Sequence, residues 1–355
     1  MTTPKDLGRI PKDRMKGIPE HLQQAHEAAF YFHDRMVAAI REVDALGPRT
    51  FKFTVKKKAE IPVEQLMALD GISFARAIGE SDNAQRLLVG ECVLALTADA
   101  LNYICESLFN YEKGKIGVSL SLLRKPLKEN LLHLEWILAD DSDFFAAFSS
   151  ENRRRLNIDS ITPERRCEII QAALQKVQHS AFEDADFLYR VRYDKGFNGL
   201  EPLWQKAQHL ITTRHASVLT EVENFNFIFA TPDNIRGIYE HVSALYLMLI
   251  VHFYDVASAT LQRTYSRHAG AQDYDEMCKA AALGLAVGGV EALEETFGEA
   301  ARLCSDNLAC SCGAKLDITA ATFARALFAN EFRCGTCTNP HSIDLYETMG
   351  FAKRV

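Results

Sequence analysis

Residues 21–46 read HLQQAHEAAFYFHDRMVAAIREVDAL, and this stretch indicates the fold class of the chain. Its apolar side chains recur every three or four residues, at Ala25, Ala29, Phe32, Met36, Ile40 and Val43. This spacing places them on one face of an α-helix, because a helix completes a turn about every 3.6 residues. Gly47 and Pro48 then predict the end of that helix.

The same period recurs along most of the chain. It predicts further helices over residues 82–111, 118–139, 163–179, 200–213, 232–263 and 274–303. Pro126 predicts either a kink inside the second of these or its true start, and the Gly288-Gly289 pair predicts an interruption of the last. One alternating stretch, over residues 51–63, predicts a strand. The sequence therefore predicts an all-α helical bundle over residues 21–304, after a polar leader over residues 1–20.

Two close cysteine pairs, Cys310-Ser-Cys312-Gly and Cys334-Gly-Thr-Cys337, stand 21 residues apart near the C-terminus. Pairs at this separation can form two knuckles that converge tetrahedrally on one ion, and thiolate sulfur suits Zn²⁺ better than the harder cations. We predict a small four-cysteine zinc ribbon over residues 305–355, in which these cysteines hold one structural zinc ion. The alternative is four reduced cysteines without a metal.

Other residues near the pairs support the predicted ribbon. Gly313 frees the backbone just after the second cysteine. Cys304 and His341 flank the quartet and are the substitute ligands. The remaining cysteines are scattered in apolar helical patterns and are typical of buried free thiols in a reducing cytoplasm; they are Cys92, Cys105, Cys167 and Cys278.

The composition narrows the classes of function. The chain has 355 residues, of which 48% are hydrophobic and 25% charged, and its formal net charge is −7. A negative total argues against a protein that coats nucleic acid by charge alone, so any basic surface is local, as at residues 56–58 or 153–155. The first twenty residues lack the apolar segment of a secretory signal, and the longest apolar run, residues 244–251, is too short to span a bilayer. We expect a cytoplasmic protein that does not bind a membrane.

The helix predicted from residue 232 is the most apolar in the chain, yet it carries Arg236, His241, His252 and Asp255. Residues eleven apart return to nearly the same azimuth on a helix, so the two histidines share one stripe. Two interpretations are open. The stripe packs against a neighbouring helix, where each polar group is hydrogen-bonded, or it lines a functional cleft with Arg236 one turn upstream.

Arg236 and His241 enclose four residues, which is the spacing used by the HEPN-type ribonucleases that cut RNA without metal. A second polar concentration lies in SLLRKPLKENLLHLEWILADD, residues 121–141, where Glu129 and His133 are four apart and Arg124 lies on an adjoining side. An arginine and a glutamate on an apolar helix, followed by a later helix that bears the histidine, resembles helical domains related to the HEPN superfamily. The resemblance covers residues 85–260 approximately. It implies a helical bundle, dimerisation and a place in RNA-directed toxicity or defence.

Two functions from different classes remain open. In the first, the protein is a HEPN-like ribonuclease in which the imidazole of His241 acts as general base or acid and the guanidinium of Arg236 holds the phosphate. The second is a non-enzymatic binding or scaffold protein, whose zinc ribbon docks a protein or nucleic-acid partner. Further residues are candidates for the same cleft as the catalytic pair, namely Arg124, Glu129, His133, His209 and Arg214.

The first function predicts RNA as the partner. A polar stripe on the most apolar helix also suits a two-fold interface, where equivalent arginines and histidines approach each other, so we predict a homodimer.

Overall fold

Helices dominate the structure. The computed structural model describes residues 10–45, 61–196, 198–213, 219–226, 232–265, 269–329 and 331–342. Within these ranges the regular elements are helical apart from one two-stranded antiparallel sheet close to the C-terminus. The predicted all-α helical bundle is therefore confirmed.

The helices and strands follow one another in a simple order. The α-helices are α1 (Gln23–Ala45), α2 (Val63–Met67), α3 (Gly71–Ala77), α4 (Ser81–Glu112), α5 (Ile116–Arg124), α6 (Leu131–Ala139), α7 (Asp141–Phe148), α8 (Pro163–Leu174), α9 (Ala185–Tyr193), α10 (Glu201–Gln208), α11 (Pro232–Tyr265), α12 (Ala269–Leu283), α13 (Gly289–Asn307) and α14 (Ala320–Ala329). The strands are β1 (Glu331–Arg333) and β2 (Pro340–Ser342). Short 3₁₀ turns cover Arg14–Gly17, Glu20–Leu22, Arg153–Leu156 and Ile158–Ser160.

Three long helices, α1, α4 and α11, form the centre of the bundle, and each packs against the other two. Phe32 of α1 meets Tyr254 of α11 with ring centroids 5.2 Å apart. Val242 and Leu249 of α11 are completely buried. Burial of this much apolar surface is the main favourable contribution to folding, so the most apolar helix of the sequence serves as the core helix.

Within the described ranges, two helices are long and apolar enough to cross a membrane, judged by length and composition. In Ile235–Tyr265, 78% of the most apolar window is buried inside the protein, whereas in Ser81–Glu112 the share is 39%. A core helix of a globular protein passes the same test. The finding therefore does not determine the location of the protein, and the expected cytoplasmic location stays a prediction.

The kink predicted at Pro126 takes the form of a π-helical segment. Lys125–Asn130 joins α5 to α6 without a break in the helix. Proline has no N–H to donate to the preceding turn, and the wider hydrogen bonding of a π segment accommodates its ring. A π turn contains one residue more than an α turn. Leu123, Leu127 and Leu131 nevertheless stay fully buried, so this extra residue does not turn the apolar face away from the core.

The interruption predicted near Gly288 and Gly289 is confirmed. A second π segment, Gly284–Gly288, follows α12, and Gly289 has a φ of +72° before α13 continues the chain. Backbone in this left-handed region favours glycine, which has no Cβ. At Gly284 an added Cβ would lie 2.5 Å from Cδ2 of Leu293, so glycine there lets α13 pack close to the segment before it.

Two helices end earlier than their apolar patterns predict. The helix predicted over residues 163–179 ends at Leu174, because the N–H of Val177 donates to the carbonyl three residues back, at 3.2 Å, and closes a turn. Val177 still packs against the core from that turn, so the apolar pattern outlasts the helix. The helix predicted over residues 200–213 ends at Gln208.

Most of the strand predicted over residues 51–63 lies outside the described residues, and its last residue, Val63, begins α2.

The described part of the polar leader packs on the bundle. Ile10, Met15 and Ile18 are buried, and Arg14 donates two hydrogen bonds to the carboxylate of Glu112, at 2.7 and 3.0 Å. The domain boundary predicted after residue 20 stays a prediction.

The C-terminal unit packs on the bundle through α12, α13 and α14. Phe297, Phe323 and Phe332 follow one another with ring centroids 5.8 and 6.4 Å apart. Tyr274 of α12 donates its hydroxyl to the carbonyl of Leu327 in α14 at 3.1 Å. The helices and the four-cysteine region therefore share one continuous apolar core.

Candidate functional site

The first cysteine knuckle is a short turn after α13. Ala309 and Lys315 form an isolated antiparallel bridge, and the N–H of Gly313 donates to the carbonyl of Cys310 at 2.8 Å. Gly313 has a φ of +85°, a conformation that glycine adopts without steric cost. The role predicted for this glycine, to free the backbone after Cys312, is confirmed.

The second knuckle lies between β1 and β2. The N–H of Cys334 donates to the carbonyl of Asn339 at 3.1 Å, and the N–H of Thr338 donates to the carbonyl of Cys334 at 3.0 Å. Thr338 has a φ of +59°, so the chain makes a tight turn between Cys337 and β2. The hairpin places both cysteines of this pair at one end of the sheet.

The two knuckles bring their four sulfur atoms together, and we call Cys310, Cys312, Cys334 and Cys337 the cysteine quartet. All four Sγ atoms lie within 4.8 Å of one another. The separation is 3.4 Å for Cys310 and Cys337, and 3.9 Å for Cys312 and Cys334. Four sulfurs around zinc at the usual Zn–S distance of about 2.3 Å are about 3.8 Å apart. The quartet therefore has the donor type, number and spacing to hold one metal ion.

Nitrogen donors surround the sulfurs. The N–H of Cys312 donates to Sγ of Cys310 at 3.5 Å, and the N–H of Thr336 donates to Sγ of Cys334 at 3.4 Å. Nε2 of His341 lies 3.1 Å from Sγ of Cys310. The hydrogen bond from the Cys312 N–H is the main reason why the pKa of Cys310 is lowered to about 6. Such bonds favour the thiolate, which is the form that binds a metal.

The two substitute ligands differ in position. His341 adjoins the quartet through Cys310, whereas Cys304 is not part of the group of close metal-binding side chains found among the described residues. Cys304 is half-buried, and burial raises its pKa. Burial likewise raises the pKa of Cys92, to about 11. Thiols of this kind are poor metal ligands, so the quartet is the candidate metal centre of the described chain.

Arg236 and His241 both lie in the first turns of α11. Arg236 is exposed and His241 is half-buried, and five residues along a helix place the two side chains about 140° apart around its axis. Among the described residues, neither side chain has a hydrogen-bond or ion-pair partner, and Nε2 of His241 is shielded from solvent. The structure thus leaves both side chains without a partner but does not join them in one cluster.

The other residues predicted for the same cleft are occupied elsewhere or stand alone. Arg124 donates to Glu129 at 3.1 Å. The ring of His133 lies between two backbone carbonyls, those of Glu129 at 2.9 Å and Leu156 at 3.0 Å. His209 is exposed at the end of α10. In the described part of the chain, no hydrogen bond or ion pair links any of them to the pair on α11, and Arg214 lies outside the described residues.

A buried ionic cluster, which the sequence patterns did not predict, joins three helices. Glu135 of α6, Arg192 of α9 and His252 of α11 are each 0% exposed. Nη2 of Arg192 contacts both carboxylate oxygens of Glu135, at 2.9 and 3.0 Å, and Nε2 of His252 lies 2.7 Å from one of them. We call these residues the core triad. Its advance signals are the single glutamate within the apolar run LLHLEWIL and His252 on the polar stripe of the helix predicted from residue 232.

Two further buried pairs surround the triad in the bundle. Nζ of Lys128 lies 2.6 Å from Glu201, and burial lowers the pKa of this lysine. Nζ of Lys279 lies 2.8 Å from Asp255 and 2.7 Å from Glu276. Asp255 and His252 of the predicted polar stripe therefore each have a partner on a neighbouring helix, as the packing interpretation of the stripe requires.

We compared the chain with protein-family models, with curated proteins and with solved structures, and no significant match was found.

Proposed function

We propose that the protein is a non-enzymatic helical binding protein that carries a structural zinc ion in its cysteine quartet. Zinc is the natural occupant of four clustered thiolates in tetrahedral spacing, and it would tie the two knuckles together. The observation that supports a binding function lies elsewhere, in a loop after α10. We call residues 209–213 and 219–226 the apolar loop.

The apolar loop exposes an unusual amount of apolar surface. Its exposed or partly exposed apolar side chains are Leu210 at 53%, Ile211 at 53%, Leu219 at 47%, Val222 at 93% and Phe225 at 38%. Single apolar residues on a surface are common, whereas several within one short loop indicate a surface that another molecule covers.

Hydrogen bonds hold this loop in one conformation. The N–H of Thr212 donates to Oγ1 of Thr220 at 2.7 Å, and the N–H of Thr220 donates back to the carbonyl of Thr212 at 3.0 Å. Asn226 closes the loop by donating its N–H to the carbonyl of Leu210 at 3.0 Å. A loop that is ordered before binding loses less conformational entropy when a partner docks on it.

The tip of the loop indicates the chemistry of the partner. Val222 stands between Glu221 and Glu223, and Glu223 has a φ of +61°, which is uncommon for a residue other than glycine. An apolar tip with two flanking carboxylates complements an apolar pocket with lysines or arginines at its rim. The same carboxylates repel phosphates, so these observations favour a protein partner over RNA at this surface.

A photo-crosslinking side chain at Val222 tests the binding function. Expressed in its own host, the full chain should form one dominant adduct, and the partner can be identified from it and purified. Val222→Asp should then weaken binding to the purified partner about tenfold or more, because the tip enters an apolar pocket.

Val290 on α13, which is also exposed, at 61%, provides the control position. The same crosslinker there should give no such adduct, and Val290→Asp should leave the affinity unchanged. Equal crosslinking at both positions, or an affinity that Val222→Asp does not alter, would contradict a docking role for the loop.

A second candidate function is that of a HEPN-like ribonuclease, or of an inactive relative that binds RNA without cleaving it. It is favoured by one observation: Arg236 is exposed and His241 is without a partner among the described residues, so neither side chain is used by the fold. In this candidate the guanidinium holds a phosphate and the imidazole transfers a proton at the 2′-hydroxyl or the leaving oxygen. Since Nε2 of His241 is shielded, the helix end has to shift before that atom reaches substrate.

His241→Ala and Arg236→Ala test the ribonuclease on a panel of single-stranded RNAs. Either change should abolish cleavage and leave the melting temperature unchanged, because neither side chain holds the fold together. If wild-type and variant proteins cleave or bind the panel equally, this candidate fails.

The predicted homodimer is tested separately. Light scattering that returns the monomer mass of 39.8 kDa at micromolar concentration would contradict it.

A further inference from the structure

The four sulfurs of the quartet differ in their access to solvent. Cys310 and Cys334 are buried, Cys337 is half-buried and Cys312 is exposed. A reagent that approaches from solvent therefore meets Cys312 first. Reaction of a thiolate with an oxidant or electrophile depends on its charge and on its exposure, and Cys312 is the quartet member that combines metal-ligand character with an open approach.

The quartet also brings each cysteine close to one from the other knuckle. Sγ of Cys312 lies 3.9 Å from Sγ of Cys334, and Sγ of Cys310 lies 3.4 Å from Sγ of Cys337. The two pairs need to approach by about 1.9 and 1.4 Å to reach the length of an S–S bond. Sγ of Cys310 also accepts the N–H of Cys312 at 3.5 Å.

We propose that the quartet is an oxidative modification site in which peroxide forms two disulfides across the knuckles, Cys312 with Cys334 and Cys310 with Cys337. The inference rests on the proposed zinc site. For each disulfide, two thiolates give two electrons to one molecule of hydrogen peroxide, two protons are taken up, and two molecules of water leave. Two peroxides thus convert four thiolates into two disulfides and release one Zn²⁺.

Cross-knuckle disulfides would keep the C-terminal unit folded after the metal has left. Zinc and the two disulfides tie the same two turns together, so each limits the freedom of the unfolded chain in the same region. Phe332 of β1 packs on Phe323 of α14, which in turn packs on Phe297 of α13, and these ring contacts do not involve the sulfurs, so we expect them to persist in either state. The unit therefore has two interchangeable cross-links, one for reducing and one for oxidising conditions.

Trypsin distinguishes the possible pairings in the full-length zinc protein. Cleavage after Arg302, Lys315, Arg333 and Lys353 puts Cys310 and Cys312 on one peptide, and Cys334 and Cys337 on another. After treatment with hydrogen peroxide, mass spectrometry without reduction should find the two peptides linked, with a mass lower by four hydrogens. Fragmentation of the linked species then assigns the pairs. Unlinked peptides, each with its own internal disulfide, would overturn the proposal.

Two further measurements complete the test. A chelating dye should record one equivalent of zinc released per chain as the disulfides form. Limited proteolysis should cut the oxidised protein at nearly the rate of the zinc protein, whereas reduced protein stripped of zinc should be cut about tenfold faster or more. Oxidised protein that is cut as fast as the stripped form would show that the disulfides do not replace the metal.

Cys304 is the matched control, because it lies on the same tryptic peptide as the first pair but outside the quartet. Cys304→Ser should leave the linkage and the zinc release unchanged. Cys312→Ser removes one of the four ligands, so the purified variant should hold little zinc, and peroxide should form only the Cys310–Cys337 link between the two peptides, with a mass lower by two hydrogens. Failure of the underlying zinc proposal has a different signature: the purified protein contains no zinc, and cross-knuckle disulfides form without any release of metal.

Discussion

The core triad and the cysteine quartet are both clusters of ionisable side chains, and they differ in how their charges are balanced. In the triad, the carboxylate of Glu135 is matched by the guanidinium of Arg192 and hydrogen-bonded to His252, so its charge is balanced from within the chain, while Nδ1 of His252 is buried without a hydrogen-bond partner among the described residues. In the quartet every member is a thiol or thiolate, and Nε2 of His341 is the nearest side-chain nitrogen donor. Four thiolates together need a cation that the chain does not supply.

This difference indicates what each cluster does. A buried ion pair whose partners are all internal adds to the architecture and fixes which helices face each other, but it offers nothing to a ligand. A cluster of like donors at a surface turn, by contrast, has the means to hold a metal ion. The same reasoning applies to Arg236 and His241, which have no partners among the described residues but do not converge either.

Zinc binding by the quartet should require all four cysteines. Cys334→Ser leaves three thiolates, so the zinc content should fall from about one ion per chain to below about 0.1. Elemental analysis measures the content, and limited proteolysis should show new cuts in residues 305–342 only, because the helical body keeps its own core. Cys304→Ser is the control and should retain zinc. Wild-type protein that is purified without chelator and contains no zinc contradicts the proposed metal.

The stability of the bundle should depend on the guanidinium of Arg192, the cation of the core triad. Arg192→Met leaves the carboxylate of Glu135 buried without its positive partner, and the free energy of unfolding should fall by about 3–5 kcal/mol. Urea denaturation followed by circular dichroism measures it. Arg190 lies on the same helix, and its ion pairs with Asp186 and Asp194, at 4.0 and 3.9 Å, are on the surface. Arg190→Met should therefore cost less than about 1 kcal/mol; equal losses would show that burial does not set the difference.

A third buried group should make the stability of the bundle depend on pH. Burial lowers the pKa of His26, although its hydrogen bond to Glu112 opposes the effect. Below its ordinary pKa, 6.5, the unfolded histidine binds a proton that the folded one takes up only at lower pH. Stability should therefore fall as pH drops below that value, by at most about 1.4 kcal/mol per pH unit from this group.

His26→Gln removes the titration and keeps a hydrogen-bonding side chain. The difference in unfolding free energy between wild type and variant, measured by urea titration from neutral pH down through mildly acid pH, should change in favour of the variant as the pH falls. Parallel pH profiles for the two proteins would contradict a lowered pKa at this site.

The smallest effect is expected from the backbone of the first knuckle. Gly313 has a φ of +85°, and alanine in this left-handed region costs about 1–2 kcal/mol. Gly313→Ala should therefore weaken zinc binding about tenfold, as measured by competition with a chelator. Gly335 in the second knuckle is the matched control, because an added Cβ meets no atom within 4 Å at either glycine, but only Gly313 of the two has a positive φ. Gly335→Ala should leave the affinity unchanged, and equal effects at both glycines would show that the backbone conformation does not matter.

The sequence by itself determined the fold class and the candidate metal centre, because both depend on residues close in the chain. Apolar residues three or four apart, as between Ala25 and Val43, determine which face of a helix is buried regardless of its neighbours. Cysteines two or three apart lie in one turn, and the quartet forms when two such turns pack against each other.

Only the tertiary structure decided which polar residues meet. Glu135 is 57 residues from Arg192 and 117 from His252, and a helical period gives the azimuth of each side chain on its own helix without naming the helix opposite. The same limit applies to Arg236 and His241: their spacing sets their azimuths on α11, about 140° apart, but it does not identify the groups that either side chain faces. The geometry within a helix depends on residues that are close in the chain, whereas the contacts between helices depend on the packing of the whole core.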